Sequence, residues 1–329
     1  MVASISAGSH AEAFDVLTMG RVGVDLYPSQ SGVPLAEVTM FHRFLGGSPT
    51  NVAVAAARLG RRAAVITKVG NEGFGPFVRT ALRGFGVDDR FVGTDPTLKT
   101  PIVFCELHPP DHFPLVFYRQ PKAPDLNISL HEVDLDAVRA AGVFWTSGTG
   151  LCEEPSRSAT LGALDARRRR RFTVHDLDYR PMFWSSAEEA RHWQHEALRR
   201  ATVAVGNRAE VEVAVGDGSP EEQAARLLEL GVELALVKLG PEGTLVAWGG
   251  RIAYVDPTPV QVVNGLGAGD AFGGALCHGL LAGWNPLRIA HFASAAGAYV
   301  AGQLACADAM PTERQVLDLL TRAEPVNTS

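Results

Sequence analysis

Residues 48–69 read SPTNVAVAAARLGRRAAVITKV, a helix followed at once by a strand, and that order decides the class of fold. Ser48 suits the N-cap, Pro49 the first helical position, and Gly60 the stop after NVAVAAARL. Ala63 to Val69 is then a mostly apolar, partly β-branched run. Such runs are strands buried on both faces, which occur in parallel sheets covered by helices.

The same alternation extends in both directions. Asp15 to Met19 (DVLTM) reads as a first strand, and FGPFVRTALRGFG (74–86) as a helix ending near Gly84 or Gly86. Further strands are expected in VFWTSG (143–148), FTVHDLD (172–178), TVAVGN (202–207) and LALVKLG (234–240), with helices between them. One helix opens on Ser219-Pro220-Glu221-Glu222, a capping-box pattern. Two segments break the rhythm. YPSQSGVPLAEVTMFHRFLGG (27–47) is inserted between the first strand and the first helix, and TPIVFCELHPPDHFPLVFYR (100–119) reads as two strands joined by a Pro/Asp/His turn. The expectation is an α/β protein with a mainly parallel central sheet and a small β-lid at one end. One domain, 14–322, carries lid insertions at about 27–45 and 100–120, with a disordered leader at 1–13 and a frayed tail at 323–329.

Composition narrows the function. The chain has 329 residues, 46% of them apolar and 20% charged, with a formal net charge of −6. No basic stripe invites nucleic acid or an anionic membrane surface, and no apolar run approaches the ~20 residues needed to span a bilayer. Cys105, Cys152, Cys277 and Cys306 form no C-x-x-C pair, so neither a disulfide framework nor a zinc site is expected and a reducing cytoplasm fits. MVASISAGSHAEAF lacks the basic start and apolar stretch of a signal peptide. The arginine run Arg167 to Arg171 reads as a solvated helix end.

Four short segments could carry chemistry. Gly265-Leu266-Gly267-Ala268-Gly269-Asp270 precedes a helix. Small residues there let backbone N–H groups converge on an anion at the positive end of the helix, and Asp270 could accept a proton from an attacking hydroxyl. The ordinary alternative is an aspartate cap on a glycine-rich turn, and the segment alone does not choose between them. Gly46-Gly47-Ser48-Pro49-Thr50-Asn51 puts flexible backbone and an amide where a polyol could sit, although in isolation it reads better as a capped helix start. Asn207-Arg208-Ala209-Glu210 follows a strand, and Glu210 is either a hydrated-Mg²⁺ partner or a surface residue of a first turn. Lys238-Leu239-Gly240-Pro241-Glu242-Gly243 is a strand-end turn able to approach a nucleotide. There is no G-x-G-x-x-G after the first strand and no G-x-x-x-x-G-K-[ST], which argues against a nicotinamide dehydrogenase and a P-loop kinase.

Taken in order and spacing, the four segments resemble the ribokinase-like (PfkB) carbohydrate kinases from about Asp15 to Leu320. The resemblance implies a ribokinase-like three-layer α/β/α sandwich that binds ATP and Mg²⁺. It implies Asp270 as catalytic base, with Gly267, Ala268 and Gly269 as the anion hole. Substrate would be held by Asp25 (in GRVGVD), Gly46, Gly47 and Asn51, and nucleotide by Asn207, Lys238, Gly240, Gly243, Gly267 and Gly269. Glu210 would support Mg²⁺ through water. The family's monovalent-cation site is often linked to an Asp-Thr pair before the glycine turn. This chain has Asn264-Gly265 there, which weakens that transfer.

Arg119, ending LVFYR, and Arg180, in HDLDYRPMFW, point to a carboxylated substrate, because guanidinium grips carboxylate in a fork. Each has the alternative of an internal Arg–Asp pair. GRVGVDLYP, FPLVFYR and DLDYRPMFW are most similar to the family members that act on 5-dehydro-2-deoxy-D-gluconate in myo-inositol breakdown, which implies phosphorylation of its 6-hydroxyl. Next come kinases of 2-dehydro-3-deoxygluconate, then kinases of neutral sugars such as fructose or ribose. A catalytically silent sugar-binding relative would bind ligand without releasing ADP. A homodimer through the lid edges is a further expectation.

Overall fold

The computed structural model describes residues 13–323. The expected leader and tail therefore lie, residues 13 and 323 apart, outside the described residues. The first half of the chain runs β1 (Val16–Met19), β2 (Gly23–Pro28), β3 (Phe41–Gly46), α1 (Ser48–Arg58), β4 (Ala63–Gly70), α2 (Phe74–Gly84), β5 (Val87–Asp88), β6 (Val92–Asp95), β7 (Ile102–Cys105) and β8 (Leu115–Tyr118). It continues with α3 (Leu135–Ala140), β9 (Val143–Ser147), α4 (Ser156–Arg167), β10 (Thr173–Asp176), α5 (Ala187–Leu198), β11 (Val203–Asn207), α6 (Arg208–Val215) and α7 (Pro220–Glu229). The last elements are β12 (Leu234–Lys238), β13 (Thr244–Trp248), β14 (Arg251–Val255), α8 (Ala268–Leu281), α9 (Pro286–Ala301) and α10 (Glu313–Ala323).

The large sheet has the order β14-β13-β12-β11-β10-β9-β1-β4-β5, with β6 also on β4. It is parallel from β12 to β5 and antiparallel at β13 and β14. Strand residues alternate between two cores. Val16, Val65, Trp145 and Val205 face α1, α2, α8, α9 and α10 on one side. Leu17, Ile66, Phe144 and Ala204 face α3 to α7 on the other. This is the three-layer α/β/α arrangement; β10 is three residues shorter than expected, β4 one longer, and the other expected strands one or two shorter. A second sheet, β3-β2-β7-β8, is built from the two segments that broke the alternation and from residues 23–26 just ahead of the first, where no strand was expected. No helix among the described residues is long and apolar enough to cross a membrane.

Two local readings change. The N-cap of α1 is Gly47, not Ser48. Gly47 has φ 103°, and a Cβ there would lie 2.5 Å from the Arg21 carbonyl oxygen, so only glycine allows this close approach. The arginine run is solvated from Arg168 to Arg171, which are exposed, but not at Arg167. Arg167 is 2% exposed and donates to the carbonyls of Val138, Ala141, Gly142 and Phe172 at 3.1, 2.6, 2.9 and 3.2 Å. It clamps the chain where β9 and β10 begin, and burial lowers its pKa to about 10. Removing it would leave these carbonyls without their donor. Arg167→Leu should therefore cost roughly 3 kcal/mol of stability in urea unfolding. A loss below about 1 kcal/mol would mean the carbonyls find water instead.

Candidate active site

The parallel strands end together on one side of the large sheet, and their register lines up the functional groups. Asp176 on β10 is level with Ser147 and Val205, and Asn207 on β11 with Lys238 on β12. A cavity of about 430 Å³ lies between these ends, the start of α8 and the small sheet, which contributes Asp25, Tyr27, Val103, Leu115 and Phe117. A second cavity of about 890 Å³ meets it at Lys238, Gly240, Gly265, Leu266, Ala268 and Gly269.

Asp270 sits in the first turn of α8 and accepts a 2.8 Å hydrogen bond from Asn51 Nδ2. The turn before it depends on Gly267, whose φ is 82° and whose Cβ would lie 2.8 Å from Cys306 Cβ and Sγ. Any side chain there meets both a strained backbone and a wall. Burial raises the pKa of Asp270, opposed by the Asn51 hydrogen bond and the charge of Arg21. A carboxylate so placed is a better proton acceptor than one in water. The second oxygen-bearing end of the pair is also informative: Asn51 Oδ1 is buried without a hydrogen-bond partner.

Asp25 stands on the cavity wall, pressed against Gly46, where a Cβ would lie 2.1 Å from the carboxylate. Burial pushes Asp25 up to about 7, and nearby Asp270 adds to this while Arg21 and Tyr27 oppose it. Arg21 lies in the turn between β1 and β2, with Nε and Nη2 3.3 and 3.4 Å from the Asp178 oxygens. Asp178 also accepts from Thr149 at 3.0 Å and pairs with Arg180 Nη2 at 3.1 Å. Burial alone would raise Asp178, yet the two guanidiniums hold it well below the usual carboxylate range. Arg180 is a third exposed and its Nη1 is 3.9 Å from Glu210 Oε1, so it bridges the two halves of the cavity.

Asn207 and Glu210 form a capping box, Glu210 N to Asn207 Oδ1 at 3.0 Å and Asn207 N to Glu210 Oε2 at 2.8 Å. The surface alternative for Glu210 fails, since it is 7% exposed and lines the cavity. Burial raises the pKa of Glu210, and it raises Asp176 to about 8 with help from Glu210, Asp178 and Asp270. Burial would lower the pKa of Lys238, but the four carboxylates Asp176, Glu210, Asp270 and Asp178 raise it. Five carboxylates and three cationic side chains line this one cavity, so an additional cation is electrostatically favoured. No group of three or more His, Cys, Asp or Glu side chains among the described residues could hold a metal alone. That suits Mg²⁺, which keeps its water and binds one or two carboxylates plus phosphate oxygens. Asp176 and Glu210 fit that role.

A monovalent cation fits poorly beside the glycine turn. Asn264 is fully buried, donates from Nδ2 to Leu304 O at 2.7 Å and accepts from Leu266 N at 3.0 Å. Its amide already occupies the carbonyl with a donor, where a cation needs acceptors only.

The structure brings together Asp25, Gly47, Asn51, Arg180, Asn207, Glu210, Lys238, Gly240 and 267–270, with Gly46 behind Asp25. Gly243 lines the second cavity. Arg119 is a correction. It is 9% exposed, does not line either cavity, and pairs with buried Asp125 at 2.5 Å. Asp125 also accepts from Val22 N at 3.0 Å, so Arg119 braces the turn that carries Arg21. Sequence reasoning missed Arg21 and Asp178 as cavity residues. Their position just beyond the carboxyl ends of parallel strands was the available signal.

A family model described as pfkB family carbohydrate kinase matches residues 13–313. The chain is 31% identical over 318 residues to a 5-dehydro-2-deoxygluconokinase of Clostridium beijerinckii, covering 94% of each. To the protein of that name from Clostridium tetani it is 33% identical over 310 residues, or 92% of this chain and 91% of the relative. A Vibrio cholerae fructokinase solved with fructose, ADP and potassium superposes with a TM-score of 0.83 at 27% identity, covering 94% of this chain and 99% of that one. An Escherichia coli Ribokinase II solved with ATP and Mg²⁺ shares the fold, with a TM-score of 0.85 at 24% identity over 94% and 99% of the two chains.

The raised pKa of Asp25 makes a stability prediction. Burial raises Asp25 from near 4 in the unfolded chain to about 7 in the fold, so folding favours its protonated form. Stability linked to this group is present at low pH and is lost as pH rises from about 4 through 7. Asp25→Asn should therefore melt a few degrees above the wild type at pH 8.5 and lose that advantage by pH 5. Parallel melting curves at all pH values would show that Asp25 is not perturbed.

Proposed function

The chain belongs to the pfkB family of carbohydrate kinases and is a phosphotransferase acting on a sugar hydroxyl; from that premise we propose that it phosphorylates the 6-hydroxyl of 5-dehydro-2-deoxy-D-gluconate, as a cytoplasmic step of myo-inositol breakdown. The observation that carries the reading is the Asn51–Asp270 pair in the smaller cavity, one residue along the chain from Gly269, where the two cavities meet. The smaller cavity takes the sugar acid and the larger takes ATP.

Asp270 removes the proton from the attacking primary hydroxyl. Asn51 Oδ1, without a partner in the protein, is an acceptor for a substrate hydroxyl beside it, and Asp25 is another. Backbone N–H groups of Gly267, Ala268 and Gly269 face the transferring group from the positive end of α8. Lys238 supplies a fixed charge on the same side. Mg²⁺, when bound near Asp176 and Glu210, offsets phosphate charge. The small sheet forms the outer wall of the sugar cavity and keeps water from the phosphoryl group. Arg180 draws the acid end, with Arg21 across Asp178 from it. The relatives named 5-dehydro-2-deoxygluconokinase support this substrate over neutral sugars. Edge strand β8, with Tyr118 62% and Val116 41% exposed, supports a homodimer through the small sheet.

Asp270→Asn should lower kcat by roughly 10²–10⁴, the usual worth of a general base, in an ADP-release assay with 5-dehydro-2-deoxygluconate. Turnover within threefold of wild type would remove Asp270 from the chemistry. Arg180→Ala should raise KM for the sugar acid at least tenfold and leave a slow neutral sugar such as fructose little affected; equal losses on both would make Arg180 a loop brace. Because the Asn264 amide fills the place beside the glycine turn, rates and melting temperature should be the same in potassium and in choline chloride at equal ionic strength. Potassium-specific activation or stabilisation would overturn that assignment.

A further inference from the structure

The hairpin joining β7 to β8 does more than wall the sugar cavity. Its strands contribute Val103, Leu115 and Phe117 to the smaller cavity, whereas its tip contributes Pro110, Asp111 and Phe113 to the larger one. The opposite wall of that larger cavity comes from 257–262 and α9, elements with no part in the small sheet. The tip is well defined by its own bonds. His108 and His112 exchange backbone hydrogen bonds at 3.0 and 3.1 Å, and Glu106 N donates to Pro114 O at 2.9 Å. His108 Nε2 lies 2.9 Å from Glu106 Oε2.

Phe113 marks where the tip meets the catalytic loop. A Cβ on Gly265 would lie 3.1 and 3.3 Å from Phe113 Cε2 and Cδ2, so the ring rests directly on the bare glycine backbone. Gly265 borders both cavities and is two residues before the helix-start turn. A threonine there would have to displace the phenyl ring.

We propose that Phe113 is a nucleotide-binding residue: seated on Gly265, it closes the larger cavity over the bound nucleotide and makes the acceptor-covering hairpin part of both substrate sites. This rests on the larger cavity being the nucleotide site. An apolar ring over the junction covers the sugar–phosphate part of the nucleotide and removes apolar area from water when the ligand is bound.

The test is calorimetric titration with Mg²⁺ and the non-hydrolysable analogue AMP-PNP, using wild type, Phe113→Ala, Gly265→Ala and the double variant. Phe113→Ala should weaken AMP-PNP about tenfold, and Gly265→Ala severalfold, with the double variant weaker than wild type by less than the product of the two. Nucleotide affinity of Phe113→Ala within twofold of wild type overturns the proposal, and so does a multiplicative double variant. If wild type binds AMP-PNP and Phe113→Ala changes only the KM for the sugar acid, the hairpin serves the acceptor alone and the kinase reading survives. If wild type binds no nucleotide at all, both readings fail together. Phe113 is half-buried at a hairpin tip, so unchanged far-ultraviolet circular dichroism and melting temperature are the expected folding controls.

Discussion

The site depends on how closely α1 and α8 cross. One turn beyond Asn51 lies Ala55, and one turn beyond Asp270 lies Gly274. A Cβ on Gly274 would be 2.3 Å from Ala55 Cβ and 2.8 Å from Ala56 N, and one on Gly273 would strike Trp145 and Val52. Bare glycine on α8 lets the two helices approach backbone to side chain, and only at that separation do the short side chains of Asn51 and Asp270 reach each other. The same crossing fixes where the first turn of α8 points its N–H groups. The Asn51–Asp270 pair and the direction of the first-turn N–H groups are thus set by one packing contact in the core.

Around that contact the cavity is electrostatically unbalanced. Asp25, Asp176, Glu210 and Asp270 all have raised pKa values, with burial the leading cause. Asp178 alone is held low, because Arg21 and Arg180 grip it from two sides. A cavity so arranged is uncomfortable when empty and becomes favourable when a cation and hydroxyl donors enter. Stability is given up locally for preorganised chemistry, the usual bargain at catalytic sites. The Arg119–Asp125 and Arg167 clamps, by contrast, are internal fittings. They show that arginine chemistry in a sequence does not say whether the fork faces a ligand or the backbone.

The alternation of buried strands and capped helices was legible in the chain because it follows from local rules: β-branched runs, proline and serine at helix starts, glycine at stops. Asp270, Asn51, Glu210 and the glycines were legible as candidates through the order of their motifs, and all but Gly46 line the two cavities. Arg21 and Asp178 were not, since a residue just past a strand looks the same whether or not its neighbours in space carry charge. Sequence alone determined the layers of the fold, the class of chemistry and the residue types that carry it. Tertiary structure decided which carboxylates share a dry cavity, that Arg119 braces a turn, and that Phe113 rests on Gly265. These depend on distances between segments far apart in the chain, set by helix crossing and strand register, and no local pattern encodes them.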